Sequence, residues 1–273
     1  MWAPSPPFLY PPLASAFVAA MSAVSVASLA SLGLSELRGE HMAYSKFWHV
    51  VAGVKQRQQG GGALLPSRGG MLVAYAPALV AALASFAVPG AVDGTRAQLL
   101  SAALAVHFLK RVLEVLLVHR YSGSMPLSTA LTISSCYLFN SVAMIYVQHL
   151  SRGLPDPPVD LRYPGVLVFA IGVGGNFYHH YLLSRLRAVG GGNDKGYKIP
   201  RGGLFELVTC PHYLFEILAF FGFAMISQTV FALSVAFGTA AYLAGRSCAT
   251  RRWYASKFDE FPARIKALVP YVL

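Results

Sequence analysis

His107, Lys110, Arg111 and Glu114 recur at steps of three and four, a spacing that puts all four on one face of a helix. The residues around them are apolar. A charge inside an apolar helix costs about 2.5 to 3.5 kcal/mol when it faces lipid, so this face must look into a protein interior or a cavity. Two readings stay open: an ion pair of Lys110 or Arg111 with Glu114 that only holds helices together, and the wall of a polar pocket facing the cytosol. In GGNFYHHYLLSRLR, Asn176, His180 and Arg187 stack at steps of four and seven. Gly172, Gly174 and Gly175 beside them permit close helix packing or close approach of a ligand. The adjacent His179 and His180 lack the partners at i+3 or i+4 that a di-iron site needs, so no metal is expected.

The third group lies in GYKIPRGGLFELVTCPHYLFE, residues 196–216, a glycine-punctuated basic loop running into a helix with His212, Tyr213 and Glu216. Residues 184–210 offer Arg185, Arg187, Lys195, Tyr197, Lys198 and Arg201 among glycines. Cations beside exposed backbone amides suit a phosphate-bearing ligand. Pro211 marks a helix N-terminus, where the dipole also favours anions. A positive loop with nothing bound is the plainer alternative.

The elements that must position these residues are set by composition. The 273 residues are 55% hydrophobic and 12% charged, with a mean hydropathy of +0.52, where a soluble domain carries about 25% charged residues. This points to an all-α integral membrane protein. A helix needs roughly 20 apolar residues to cross a bilayer, and seven stretches qualify: 12–34, 71–88, 97–118, 127–147, 165–183, 211–227 and 229–249. The last two touch, so a tight turn must fall near Ser227 and Gln228. The start MWAPSPPFLYPPLASAF lacks a positive n-region, which reads as a first span rather than a cleaved signal.

Net charge is +11, but the cations sit in short loops, which speaks for topology and against a nucleic-acid partner. With seven spans, one side receives five in residues 36–70, one after span three, five in 184–210 and six in the tail. The other side receives Arg96, Arg152 and Arg162, while Lys110 and Arg111 lie inside span three. The expected orientation is N-terminus lumenal and C-terminus cytosolic. Residues 56–62 and 190–192 read as flexible loops, and residues 254–273 as a short helix on the membrane surface. Cys136, Cys210 and Cys248 are too dispersed for a disulfide framework or a Cys-based zinc site.

Residues 196–216 resemble the membrane steroid 5α-reductase family. The resemblance continues through GNFYHHYLLSRLR, through Arg246 and Arg251–Arg252–Trp253–Tyr254, and through FDEFPARIKALVPYVL; it reappears in VHFLKRVLEVLLVHRYSG, residues 106–123. It covers residues 70 to the C-terminus, and GLSELRGEHMAYSKFW is similar to plant members. It implies a single membrane-embedded domain, residues 1–273, with a first span and cytosolic loop in 1–69 and a helical core in 70–273 whose C-terminal half holds the cofactor. It also implies the endoplasmic reticulum membrane, a lipid or steroid substrate entering from the bilayer, and NADPH-dependent reduction of a double bond conjugated to a carbonyl. Position by position, Asn176, Arg187, Tyr197, Lys198, Glu216, Arg246 and Tyr254 match cofactor-binding positions, with Arg111 in the same pocket. His180 falls where some members have a carboxylate, His212 where some have Asn, and Thr250 where some have His.

Steroid-reducing members place an acidic pair in span two and a Tyr in span three; here those positions hold Ala74–Tyr75 and Phe108. The very-long-chain enoyl-CoA reductase branch reads TCPNY where this chain reads TCPHY. Lys110, Arg111, Glu114, His119 and Tyr213 resemble its pattern, which implies Tyr213 as proton donor with Lys110 and Glu216 near it. Tyr75, Phe108 and Glu114 are then the expected substrate-side residues. On that branch the expected partners include an elongase complex, although its N-terminal ubiquitin-like region has no counterpart in this chain. Two rivals remain. Integral-membrane methyltransferases carry Arg-His-Pro-x-Tyr, whereas here Cys210–Pro211–His212–Tyr213 precedes Phe215. The other rival is a non-catalytic membrane protein retaining the fold.

Overall fold

In the computed structural model, which describes residues 6–45, 47, 63–121, 123–188 and 197–273, each apolar stretch becomes one helix. The seven α-helices among the described residues are α1 (Ala16–Arg38), α2 (Ser67–Ala84), α3 (Thr95–Leu113), α4 (Leu127–Leu150), α5 (Arg162–Ala188), α6 (Pro211–Ser227) and α7 (Val230–Lys257). Five of them, α1, α2, α4, α5 and α7, are long and apolar enough to cross a membrane. The other two fall short for different reasons: α3 carries Arg96, Lys110 and Arg111, and α6 has only 17 residues. The loops expected at 56–62 and 190–192, and Lys195 and Gly196, lie outside the described residues.

Local chemistry sets the helix ends. Ser15 Oγ accepts from Val18 N at 3.3 Å to cap α1, and Gly39 closes it at φ 90°. Arg252 of α7 donates to the Leu37 carbonyl at 2.8 Å, placing a cation where the end of α1 is negative. The expected turn falls at Gln228, in the left-handed region at φ 53°, and the Thr229 side chain caps α7. Two short strands, β1 (Leu64–Pro66) and β2 (Ser124–Pro126), pair antiparallel and lead directly into α2 and α4.

The most extensive packing joins α5 to α6 and α1 to α7. Gly172 faces α6 so closely that a Cβ would stand 2.5 Å from Ala219 N, and one on Gly175 would enter the Phe215 ring. These two glycines serve helix packing, whereas Gly174 faces open space. The main core runs between α1, α2, α3, α4 and the second half of the bundle, around Leu104, Phe108, Met144, Phe223 and Phe231.

The surface helix expected over residues 254–273 does not form. α7 runs on to Lys257, and the rest is irregular chain tied to the segment before α6. Lys266 N donates to Leu207 O at 2.9 Å, Thr209 N to Lys266 O at 2.8 Å and Cys210 N to Ala267 O at 3.1 Å. Arg251 adds bonds to the carbonyls of Ile265 and Ala263. Pro262 and Pro270 lack the amide a helix needs, and these distant partners satisfy the backbone instead.

Candidate active site

Glu114 is 1% exposed and both its oxygens are engaged. Oε1 accepts from Lys110 Nζ at 3.0 Å and faces His180 Nδ1 at 3.1 Å, while Oε2 accepts from Arg111 Nη1 at 3.0 Å. Helical spacing brings both cations over the carboxylate. A π-helical turn, Glu114–Val118, then carries the chain off α3. Such turns gather at functional sites, and this one sets the His119 ring 4.7 Å from that of His180. Burial, reinforced by the nearby charge of Arg111, holds the His119 imidazole neutral, its pKa pushed down to about 2.

From this face the network spreads to three more helices. Arg111 Nη2 donates to the Tyr75 hydroxyl on α2, and its guanidinium lies 4.6 Å from the Tyr75 ring centroid. Lys110 donates to Asn176 Oδ1 on α5. Asn176 Nδ2 in turn donates to the His212 carbonyl at 2.7 Å and reaches Glu216 Oε2 at 3.4 Å. One amide thus joins α3, α5 and α6. Tyr137 of α4 donates to Glu216 Oε1 at 3.5 Å. The charged face forms an internal ion pair, and of its four side chains Arg111 reaches a cleft.

That cleft, of about 200 Å³, is lined by Tyr75, Arg111, His180, Tyr197, His212, Tyr213 and Glu216 among the expected residues. Lys110, Glu114 and Asn176 do not line it; Glu114 and Asn176 hold side chains that do, and Lys110 bonds to both of them. A smaller cavity of about 80 Å³ adjoins it between α1, α2, α4 and α7, with Leu29, Leu32, Ile133 and Cys136 in its mostly apolar wall. Tyr44, Tyr75, Tyr137, Glu216 and Tyr242 border both.

Several expected residues stand elsewhere. Phe108 is 1% exposed and lines neither cavity; its ring is packed edge-on against Tyr137 at 5.4 Å. Arg246 is also 1% exposed, bound to Glu36 of α1 at 2.5 Å and covered by the Tyr44 and Phe47 rings. Tyr254 is buried against Phe258 and Phe261, at 6.0 and 5.7 Å between ring centroids. Lys198 is half-buried outside both cavities, whereas its neighbour Tyr197 rests on the Trp253 ring at 4.8 Å. Arg187 falls in the last turn of α5, its side chain outside the described residues.

Sequence reasoning missed Tyr44, Arg120, Tyr121, Tyr137 and Tyr242 in the cleft wall. For Tyr137 the available signal is the polar repeat 137, 140 and 141 inside an apolar helix. Glu114, His119 and His180 bring three ligand-type atoms within 4.8 Å of one another. Lys110 and Arg111 already compensate that carboxylate at 3.0 Å, and their charges oppose a divalent ion.

Residues 125–273 match the family described as 3-oxo-5-alpha-steroid 4-dehydrogenase. The chain is 33% identical over 214 residues to 3-oxo-5-alpha-steroid 4-dehydrogenase 1 of Macaca fascicularis, covering 76% of this chain and 80% of that protein. It is 42% identical over 109 residues to the steroid 5-alpha-reductase DET2 of Gossypium hirsutum, 40% of this chain and 41% of that one. It is 34% identical over 173 residues to a very-long-chain enoyl-CoA reductase of Dictyostelium discoideum, 62% of this chain and 56% of the relative.

Proposed function

This chain belongs to the 3-oxo-5-alpha-steroid 4-dehydrogenase family, and on that premise we propose that it uses NADPH to reduce a carbon–carbon double bond conjugated to a carbonyl in a membrane lipid of the 3-oxo-Δ4-steroid class. The observation that carries this reading is the meeting of two unlike cavities at Tyr75, Tyr137 and Glu216, one of mixed lining with charged and hydroxyl groups and one mostly apolar. A nucleotide and a lipid can each occupy the side that suits it and touch only at that seam.

The donor set of the polar cleft fits the cofactor. Exposed Arg120 at its rim and buried Arg111 at its floor match an anionic group, and Tyr121, Tyr197 and Tyr213 offer ring faces to a planar one. Tyr197, His212 and Glu216 would hold the nicotinamide half, with Asn176 fixing His212 and Glu216 from behind. When bound, NADPH supplies the hydride for the β-carbon of the enone. Tyr75 has its oxygen engaged by Arg111, which leaves its hydrogen for the substrate carbonyl and polarises the hydroxyl. Tyr213 borders the same cleft and gives its phenolic proton to the α-carbon. The apolar cavity holds the lipid body and keeps water from the reacting carbons.

In this reading α3 and α6 cross the membrane with the other five helices, the N-terminus is lumenal and the C-terminus cytosolic, and the bilayer is that of the endoplasmic reticulum. The bias of Lys and Arg toward one set of loops supports that orientation. A second reading, reduction of a trans-2-enoyl thioester, is favoured by the similarity to the enoyl-CoA reductase and by the missing hydroxyl at Phe108. The test is loss of NADPH absorbance by the purified protein in liposomes, with progesterone or trans-2-hexadecenoyl-CoA. Saturable oxidation with progesterone, and deuterium from labelled NADPH at the β-carbon, is the expected result. Oxidation with the thioester alone would favour the second reading, and none with either would overturn both.

A further inference from the structure

We propose that Tyr137 on α4 is a second carbonyl-binding residue, which together with Tyr75 on α2 grips the oxygen of the enone. The proposal rests on the reductase reading above. At the seam of the two cavities the side chains with hydroxyls are Tyr44, Tyr75, Tyr137 and Tyr242. Two of them are committed to each other: Tyr44 and Tyr242 share a hydrogen bond of 3.1 Å, and Tyr242 also donates to Met42 Sδ at 3.5 Å.

Tyr75 and Tyr137 remain, and their hydrogens are available. The Tyr75 oxygen accepts from Arg111, and its hydrogen has no acceptor among the described residues. The Tyr137 hydroxyl lies 3.5 Å from Glu216 Oε1, the long limit of such a bond, so a carbonyl oxygen in the seam competes for its hydrogen on good terms. The two rings stand 5.6 Å apart at 43°, both bordering the polar and the apolar cavity.

Phe108 explains why the second hydroxyl comes from α4. Its ring has no donor, is 1% exposed, and backs edge-on onto Tyr137, which alone of the pair borders the cavities. Packing against Phe108 and Tyr75 fixes the Tyr137 ring, so its hydroxyl is preorganised for charge that builds on the enolate oxygen.

The experiment measures two quantities on Tyr137→Phe in liposomes, beside wild type. The first is the ultraviolet absorption of bound progesterone, whose enone band moves to longer wavelength as its carbonyl accepts hydrogen bonds. The second is kcat for progesterone reduction, with the NADPH Kd as control. The expected result is a smaller band shift, kcat lower by about 100-fold, and an unchanged NADPH Kd. Because the substitution keeps the ring, a merely structural role would leave the band and kcat as in wild type, and that result overturns the proposal. Wild type that neither binds nor reduces progesterone would sink the reductase reading itself, a failure distinct from that one.

Discussion

Arg246 on α7 and Glu36 on α1 meet in an ion pair of 2.5 Å, both side chains 1% exposed. His41 closes on the other carboxylate oxygen at 2.6 Å, and the rings of Tyr44 and Phe47 cover the guanidinium. The cofactor-binding expectation for Arg246 therefore meets a side chain already enclosed. Glu36→Ala strands a buried cation and should cost about 3 to 5 kcal/mol; replacing both partners with Met should cost much less. Thermal unfolding in detergent checks this. An Arg246→Met protein of unchanged stability but weakened NADPH binding would return Arg246 to the cofactor site.

Asn176 touches Lys110, the His212 carbonyl and Glu216 together. Asn176→Ala should raise the NADPH Kd about tenfold, equivalent to about 1.4 kcal/mol. Fluorescence titration reads this directly, and an unchanged Kd would place the cofactor away from α5.

Tyr213→Phe separates proton delivery from binding. The ring stays in the cleft wall while the phenolic proton is lost, so the NADPH Kd should hold within about twofold and kcat fall about 100-fold. Equal loss of both would count against the donor role.

Gln228 is fully buried in the turn between α6 and α7, at the opposite end from the cleft. Its Oε1 accepts from Arg96 Nη1 at 2.5 Å and Leu161 N at 2.9 Å, and its Nε2 donates to the carbonyls of Phe8 and Val159 at 2.7 and 2.8 Å. Gln228→Ala removes a partner from buried Arg96 and from three backbone groups, and the loss at Arg96 alone should cost about 1 to 3 kcal/mol. A lowered unfolding midpoint with normal kcat per folded molecule is expected; normal stability would show that these hydrogen bonds do not hold the turn.

His119, just beyond the π-helical turn, stays neutral in the folded protein down to about pH 2, against 6.5 for a free histidine side chain. Its folded pKa is depressed, so its contribution to stability is complete above pH 6.5 and is lost as pH falls from 6.5 toward 2. Between pH 7.5 and 5.5 the wild-type midpoint should drop more than that of His119→Gln. Equal drops would show that other groups carry the acid sensitivity.

The helices and the charged face are legible in the order of residues alone. Hydrophobic runs and steps of three and four are local properties, so residues 127–147 or 211–227 announce α4 and α6 without reference to any other segment. The same locality made Lys110, Arg111 and Glu114 legible as one surface. What those surfaces meet depends on contacts between distant segments. Arg246 finds Glu36 across 210 positions, and the tail gives its backbone to residues 207–210 rather than to a helix of its own. Tyr137 reads as one more aromatic in an apolar run until α2, α3 and α6 bring Tyr75, Phe108 and Glu216 around it. The difference is one of range: helical periodicity is set by neighbours within a turn or two, whereas the seam between the cavities is made by side chains that share no segment.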